Sequence, residues 1–504
     1  MTVFLRSESV GTISLLLRRI WGVFSNFQDQ SCVSKYCKQN KLLALHRKKI
    51  HKTRFFSSIA IMAQSASTVL TFVLGTMTRS NFFHPKSFEE VEMSKLVERF
   101  LNYVAFDTQS ARDSDETPSS AKQLRLAEFL VQELQGMGIA NAHIGEGGVV
   151  YATLEATPGY EKCPGMALLA HMDTSPDASG ADIKPQVIHY EGGDVVLNAD
   201  KNIVLTLAHT PELAKYAGQD IIFTDGTTLL GADDKAGIAE IVDMAAYLLE
   251  HPEVPHAKIV LCFTPDEEVA RGTDNVNVEK LGCQYGYTFD GDEAGVLEYE
   301  NFNAATAHVT IHGVGVHPGL AKDKMVNSTR IAAKFLRRLP MEHSPECTDG
   351  HEGFLHPNHI EGDVVKSYIR ILVRDHDMAK FEALKKFLMD LGDEFNATYG
   401  AGTCEVVIKD SYYNMLEKVK LVPKVLDVVR NAYLDCGLTP NEKPIRGGTD
   451  GAALTEMGLP CPNVFTGGFN FHGVYEFLPI PSMEKARDVA IALAKRSAEI
   501  ESLS

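Results

Sequence analysis

Short apolar runs alternate with helical repeats through the middle of this 504-residue chain, and that alternation constrains the fold more than any other feature. The runs "GVVYATLEA", "GMALLAH", "KIVLCF" and "YGYTFD" read as buried strands. Among them, "KAGIAEIVDMAAYLLEH" puts Ile238, Ile241, Val242, Ala245, Leu248 and Leu249 on one helical face. Strand–helix alternation of this kind implies an α/β fold, a mixed sheet flanked by helices. Order begins near Met93, with "MSKLVERFLNYVAF" and the longer amphipathic "SSAKQLRLAEFLVQELQGMGI". The pattern changes near residue 304. "AATAHVTIHGVGV", "NSTRIAAKFLRRL", "FLHPNHIEGDV", "KSYIRILVRDHD", "MAKFEALKKFLMDLGDEF" and "CEVVIKDSYY" read as a β-α-β-β-α-β module. Because α/β material resumes afterwards, the module is an insertion. The expected divisions are an extension 1–92, an α/β segment 93–303, the inserted module 304–415 and a second α/β segment 416–504.

The net charge of −17 is unevenly spread. Residues 1–86 hold 13 Lys and Arg against two acids, Glu8 and Asp29, for +11, which leaves −28 on the rest. So acidic a body argues against nucleic acid as a partner and is compatible with cation sites. Nine scattered cysteines without a CxxC pair suit a reducing compartment. The extension is rich in Arg, Lys and Ser, as in "HRKKIHKTRFFSS", and reads as a mitochondrial or plastid address. Met62 or Met77 as an alternative start would leave a cytoplasmic protein. Residues 55–78 are uncharged and long enough to cross a bilayer, but Ser, Thr and Gln dilute them.

Five short motifs carry the chemistry, and each has a bland reading. "TPDE" reads as a helix start, with Thr264 as N-cap, Pro265 at the first position, Glu267 closing a capping box and Asp266 at the positive end. Asp233 and Asp234 of "GADDKAG" suit a helix cap. His171 and Asp173 of "HMDTS" are two apart, so in extended chain they share a face. Asp290 follows a strand in "FDGDEAG", and His472 lies in the Gly- and aromatic-rich loop "FNFHGVYEF". Taken together they are less bland: two imidazoles and four or five carboxylates fall at the ends of successive strands, where open α/β sheets bind ligands. With no Cys motif, that donor set suits a pair of divalent cations, Zn²⁺ first and Mn²⁺ or Co²⁺ as alternatives. Two such ions ~3.5–4 Å apart polarise a carbonyl and acidify a shared water. One carboxylate should bridge the ions, and another should stay off them to take a proton. If Glu267 and Glu268 serve one site, a turn must follow Phe263, since neighbours on a strand face opposite ways.

The ordered series "HMDTSPD", "TTLLGADDKAGIAEI", "FTPDEEVARG", "FDGDEAG", "ENFNAA", "VHPG", "SYYNM", "KPIRGGTDGA", "LPCPNVFTGG" and "FHG" before "EF" closely resembles the peptidase T family. These are tripeptide aminopeptidases of the co-catalytic zinc exopeptidase superfamily, and the likeness runs from about Leu96 to about Ala498. It implies a catalytic α/β domain, with the inserted module as a lid or dimerisation domain through which a homodimer forms. It implies two zinc ions: His171 and Asp290 on one, Glu268 and His472 on the other, and Asp233 bridging. It further implies Glu267 as general base on a metal-activated water, Asp173 orienting His171, and a cis peptide after Asp233. His317 would reach a site, often the partner subunit's, to steady the oxyanion, or alternatively brace its own loop before Pro318. Arg374 and Arg446 would grip the tripeptide carboxylate, or alternatively pair with Asp375 and Asp450; Asn327, Tyr412 and Tyr413 would also line the substrate site.

Two departures bear on substrate preference. Val296 stands where the family carries an acid, next to the expected pocket for the free N-terminus, and "FDGDEAG" is more acidic than the usual glycine-rich version. The alternatives are a related dipeptidase, aminoacylase or carboxypeptidase, which substrate length distinguishes, or a catalytically silent metal-binding protein.

Overall fold

Strand Met166–His171 lies at the centre of an eight-stranded mixed sheet, and its side chains show why the chain folds around it. Met166, Leu168 and Ala170 enter one apolar cluster, whereas Ala167 and Leu169 enter a second on the opposite face. Ile259–Thr264 divides in the same way, with Ile259, Leu261 and Phe263 on one side and Val260 and Cys262 on the other. Both strands are thus buried on two faces, as parallel strands require. Met166–His171 pairs in parallel with Ile259–Thr264 and with Tyr285–Gly291, and Tyr285–Gly291 pairs in parallel with Asn463–Phe465. The carboxyl ends of four adjacent strands therefore open on one edge. The computed structural model describes residues 93–503, so the address-like extension 1–92 and its uncharged stretch lie outside the described residues. Among the described residues no helix is long and apolar enough to cross a membrane.

The helix Ala232–Glu250 packs against the central strand and is itself covered by Lys95–Val104 and Ile480–Ser497. Ile238, Ile241, Val242, Ala245 and Leu248 are buried as their spacing predicts, but Leu249 is 40% exposed. The helix is buried all round from Asp234 as far as Ala245, and Leu249 lies in its last turn, where that cover gives way to solvent.

The inserted module follows its expected order. Asn303–His312, Phe354–Gly362, Lys366–Asp375 and Cys404–Tyr412 form an antiparallel four-stranded sheet. Helices Ser328–Leu336 and Met378–Tyr399 cover one face, burying Phe335, Phe381, Leu388 and Phe395 against Val309, Ile369 and Ile371. A small antiparallel sheet of Gln186–Tyr190, Gln219–Phe223 and Phe477–Pro479 has no counterpart in the sequence reading. Its aromatic cluster, with Phe469 and Phe477 stacked at 5.0 Å and Phe223 beside Phe477 at 5.7 Å, anchors the loop that carries His472.

Candidate metal centre

His171 is the last residue of the central strand and is 2% exposed. Its Nδ1–H donates to the Asp173 main-chain carbonyl at 3.1 Å, with the Asp173 carboxylate 3.4 Å away. That fixes the tautomer and leaves Nε2 as the ligand atom. Nε2 lies 2.9 Å from Asp233 Oδ1 and 3.5 Å from Asp290 Oδ1. On the other side His472 Nε2 lies 3.1 Å from Asp233 Oδ2 and 3.0 Å from Glu268 Oε2, while its Nδ1 faces Asp177 at 3.6 Å. Asp233 thus directs one carboxylate oxygen at each imidazole. His472 sits at φ 62°, a left-handed conformation held by the aromatic-anchored loop.

The local backbone explains how neighbouring acids divide. The Asp233–Asp234 peptide is cis. Asp234 turns its oxygens onto the main-chain amides of His171 and Gly237, at 3.0 and 3.2 Å, so it is the capping acid of the pair. After Phe263 the chain leaves its strand through Asp266, at φ 63°, into a single 3₁₀ turn, Glu267–Val269. That turn aims both glutamates inward. The capping-box reading of "TPDE" does not hold: the Thr264 hydroxyl donates to Asp450 at 2.6 Å. Nor does Asp266 serve a helix start, because its carboxylate accepts from the Ser119 amide and hydroxyl and from Gln123 Nε2. Asp173 holds the turn from the other side, accepting the amides of Glu267 and Glu268 at 3.0 and 3.2 Å.

The electrostatics favour a cation. The carboxylates of Asp233 and Glu268 pull His472 up to about 11. Burial alone would lower His171, but Asp173, Asp233 and Asp290 hold it well above its ordinary value. Burial would raise Asp233, yet the two imidazoles keep it well below the carboxylate range. Burial and the charge on Asp233 push Glu268 up to about 7, and burial with Asp290 raises Glu267 well above the ordinary range. Glu268 Oε1 is buried without a hydrogen-bond partner, a cost that a coordinating ion removes. The ligand atoms of His171, Asp233 and Glu268 lie within 4.8 Å of one another, as do those of His171, Asp234 and Asp290. Both groups share His171, and it is His472, beside Asp233 and Glu268, that supplies the second imidazole, so the residues present fit a pair of divalent ions.

The residues expected at the substrate divide differently. Arg374 donates Nη1–H bonds to the carbonyls of Ala305 and Val373, and its guanidinium lies 5.5 Å over the Tyr412 ring. Burial raises the Tyr412 hydroxyl, Arg374 offsets part of that rise and the charge on Glu267 adds to it, so this pair lies within electrostatic reach of the cluster. Arg446 departs from expectation. It donates to the carbonyls of Thr348, Gly350 and Glu352 and to the Thr348 hydroxyl, over the rings of Phe302 and Phe354. Those bonds bind the inserted module to the α/β body rather than reaching into the cluster. Asp375 and Asp450 are partners of neither arginine among the described ion pairs, and Tyr413 bonds Asp410 on the module. Asn327 caps Ser328–Leu336 through the Arg330 amide, and exposed His317 accepts from the Gly319 amide within its own loop. Val296 is fully buried in the main core cluster. Glu293 of the acidic loop pairs with Lys215 at 2.5 Å. The sequence reading missed Glu476 and Asp177 and offered Asp450 only as a partner for an arginine, because their partners are distant in the chain; the "EF" after "FHG" was the one signal for Glu476.

Comparison with known proteins bears on the family and the fold. Residues 299–403 match the peptidase dimerisation domain. Peptidase T of Clostridium acetobutylicum is 49% identical over 409 residues, which span 81% of this chain and 100% of that relative. A tripeptidase of Staphylococcus aureus superposes with a TM-score of 0.64 at 22% identity, covering 80% of this chain and 98% of the other. A dinuclear metal-binding peptidase of the M20 family from Bacillus subtilis does so at 0.52 and 14%, covering 80% and 99%. These last two likenesses show a shared fold.

Proposed function

The chain belongs to the peptidase T family, and from that membership we propose that it releases the N-terminal residue of tripeptides at a centre of two divalent cations. The observation that carries the reading is Asp233, whose two oxygens meet His171 and His472 at 2.9 and 3.1 Å. His171 with Asp290 would hold one ion, His472 with Glu268 the other, and Asp233 would bridge; the imidazole and carboxylate donors favour zinc. When bound, the ions would polarise the scissile carbonyl and lower the pKa of the attacking water. Glu267 shares the turn with Glu268 but is assigned to neither ion. It takes a proton from that water and passes it to the departing nitrogen. Asp173 holds the Glu267 amide and so aims the base. Arg374, beside Tyr412 at the edge of the cluster, binds the tripeptide carboxylate. His317, exposed on the inserted module, acts at the partner subunit's centre in a homodimer formed through that module.

Glu267→Gln tests the assignment. General-base catalysis contributes ~10²–10⁴-fold, so the variant should keep two metal equivalents and lose at least ~100-fold in kcat on a tripeptide. A variant that turns over at the native rate would remove Glu267 from that role. Di-, tri- and tetrapeptides with free and blocked N-termini check the substrate class: native turnover of blocked peptides or dipeptides would point to a relative of different specificity.

A further inference from the structure

We infer that Glu476 is a positioning residue of this centre, tying the backbone that carries Asp233 to the loop that carries His472. Glu476 is 1% exposed. Its Oε2 accepts the amides of Leu230 and Gly231 at 2.6 and 2.9 Å, and its Oε1 those of Ala232 and Asp233 at 2.7 and 3.1 Å. These four consecutive amides converge at the start of the helix Ala232–Glu250, with Gly231 at φ 80°. A helix start leaves such donors without internal partners, and an ordinary N-cap side chain satisfies one of them. Here one carboxylate from the far end of the chain takes four, including the amide of Asp233 itself. The side chain of Asp233 leaves the same residue, so the aim of its two oxygens is set by this clamp. Glu476 is also four residues after His472, inside a loop closed by reciprocal main-chain bonds between Phe469 and Phe477 at 2.9 and 3.1 Å. One side chain thereby fixes the proposed bridging carboxylate relative to the imidazole it faces. Glutamine cannot replace it, because an amide nitrogen would confront two N–H donors.

The inference rests on the two-cation reading, and its test separates the two. Metal-free full-length protein is titrated with Co²⁺ and followed by visible absorption, alongside thermal melting. The set is wild type, Glu476→Gln, Glu476→Asp and Asp243→Asn. Asp243 ion-pairs with Arg99 and Arg487, remote from the cluster on the same helix, and serves as the purely structural control. Wild type should take up two equivalents. Glu476→Gln should bind the second ~10–100-fold more weakly with an altered spectrum, and Glu476→Asp should recover part of that loss. Asp243→Asn should lower the melting temperature and leave the titration unchanged. Fewer than two equivalents in wild type would sink the two-cation reading itself. Two equivalents in wild type with native affinity and spectrum in the Glu476 variants would overturn the positioning role. So would an equal loss of affinity in Asp243→Asn, or failure of both Glu476 variants to fold, since either makes the residue merely structural.

Discussion

At the scale of single residues, Asp173 shows how one carboxylate can serve two loops. Its oxygens accept the amides of Glu267 and Glu268 while one stays 3.4 Å from His171 Nδ1. The motif spacing put both residues on one face of extended chain, and the family resemblance, not the spacing, supplied the pairing with His171. The grip on the glutamate turn was not legible, since it joins segments distant in sequence. Asp173→Asn should retain the fold but turn an amide nitrogen toward one of those N–H groups. The expected result is a ~10–100-fold fall in kcat on a tripeptide, with two metal equivalents kept after dialysis. Steady-state kinetics and elemental analysis check it, and an unchanged kcat would mean that the turn holds its aim without Asp173. Asp266 carries the opposite lesson: acid beside acid looked like helix-start decoration, yet its partners, Ser119 and Gln123, stand far back in the chain.

At the scale of elements, the helix Ala232–Glu250 was legible as a helix and only half legible as a buried one. Its apolar face was read from spacing, but the covering helices Lys95–Val104 and Ile480–Ser497 also bury the opposite side, where Glu240 lies at 0% exposure with neither carboxylate oxygen hydrogen-bonded. Burial holds that carboxyl well above its unfolded value of 4.5. The folded chain therefore keeps its proton to higher pH than the unfolded chain does. Stability from this group is fully present below pH 4.5 and is lost as pH rises toward the folded pKa. Glu240→Gln carries no such proton. Its stability relative to wild type should rise by ~1.4 kcal/mol per pH unit across that window. Denaturation of both proteins at pH 5, 6, 7 and 8 measures the difference, and parallel curves would show that Glu240 does not titrate across folding. The small aromatic sheet was illegible for a different reason. Phe477–Pro479 is three residues long, below any periodic signal, and its neighbour Gln219–Phe223 belongs to another part of the chain.

At the scale of the whole molecule, the α/β body and its inserted β-α-β-β-α-β module were both written in local periodicity, whereas the contact between them was not. Arg446 makes that contact. Resemblance alone assigns its guanidinium to a substrate carboxylate, but its donors reach the carbonyls of Thr348, Gly350 and Glu352 on the module. The rings of Phe302 and Phe354 flatten against it at 5.1 and 5.7 Å. Beside it His351 Nε2 meets Glu300 at 2.9 Å, a second tie across the same seam. A planar fork can bond several carbonyls at once and lie on a ring, whereas an ammonium cannot replace that geometry. Arg446→Lys therefore separates tether from substrate grip. If Arg446 is a tether, amide exchange across residues 344–356 should quicken by roughly tenfold or more in the absence of substrate. The metal content should not change, and kcat should fall together with kcat/KM as the module loses its seat. If it only grips the carboxylate, exchange in the free protein should match wild type and the loss should appear in KM alone. Hydrogen exchange followed by mass spectrometry, with kinetics on the same preparation, decides between them. The four bonds to the module favour the first result, because the guanidinium cannot hold Thr348, Gly350 and Glu352 and a tripeptide carboxylate in the same arrangement.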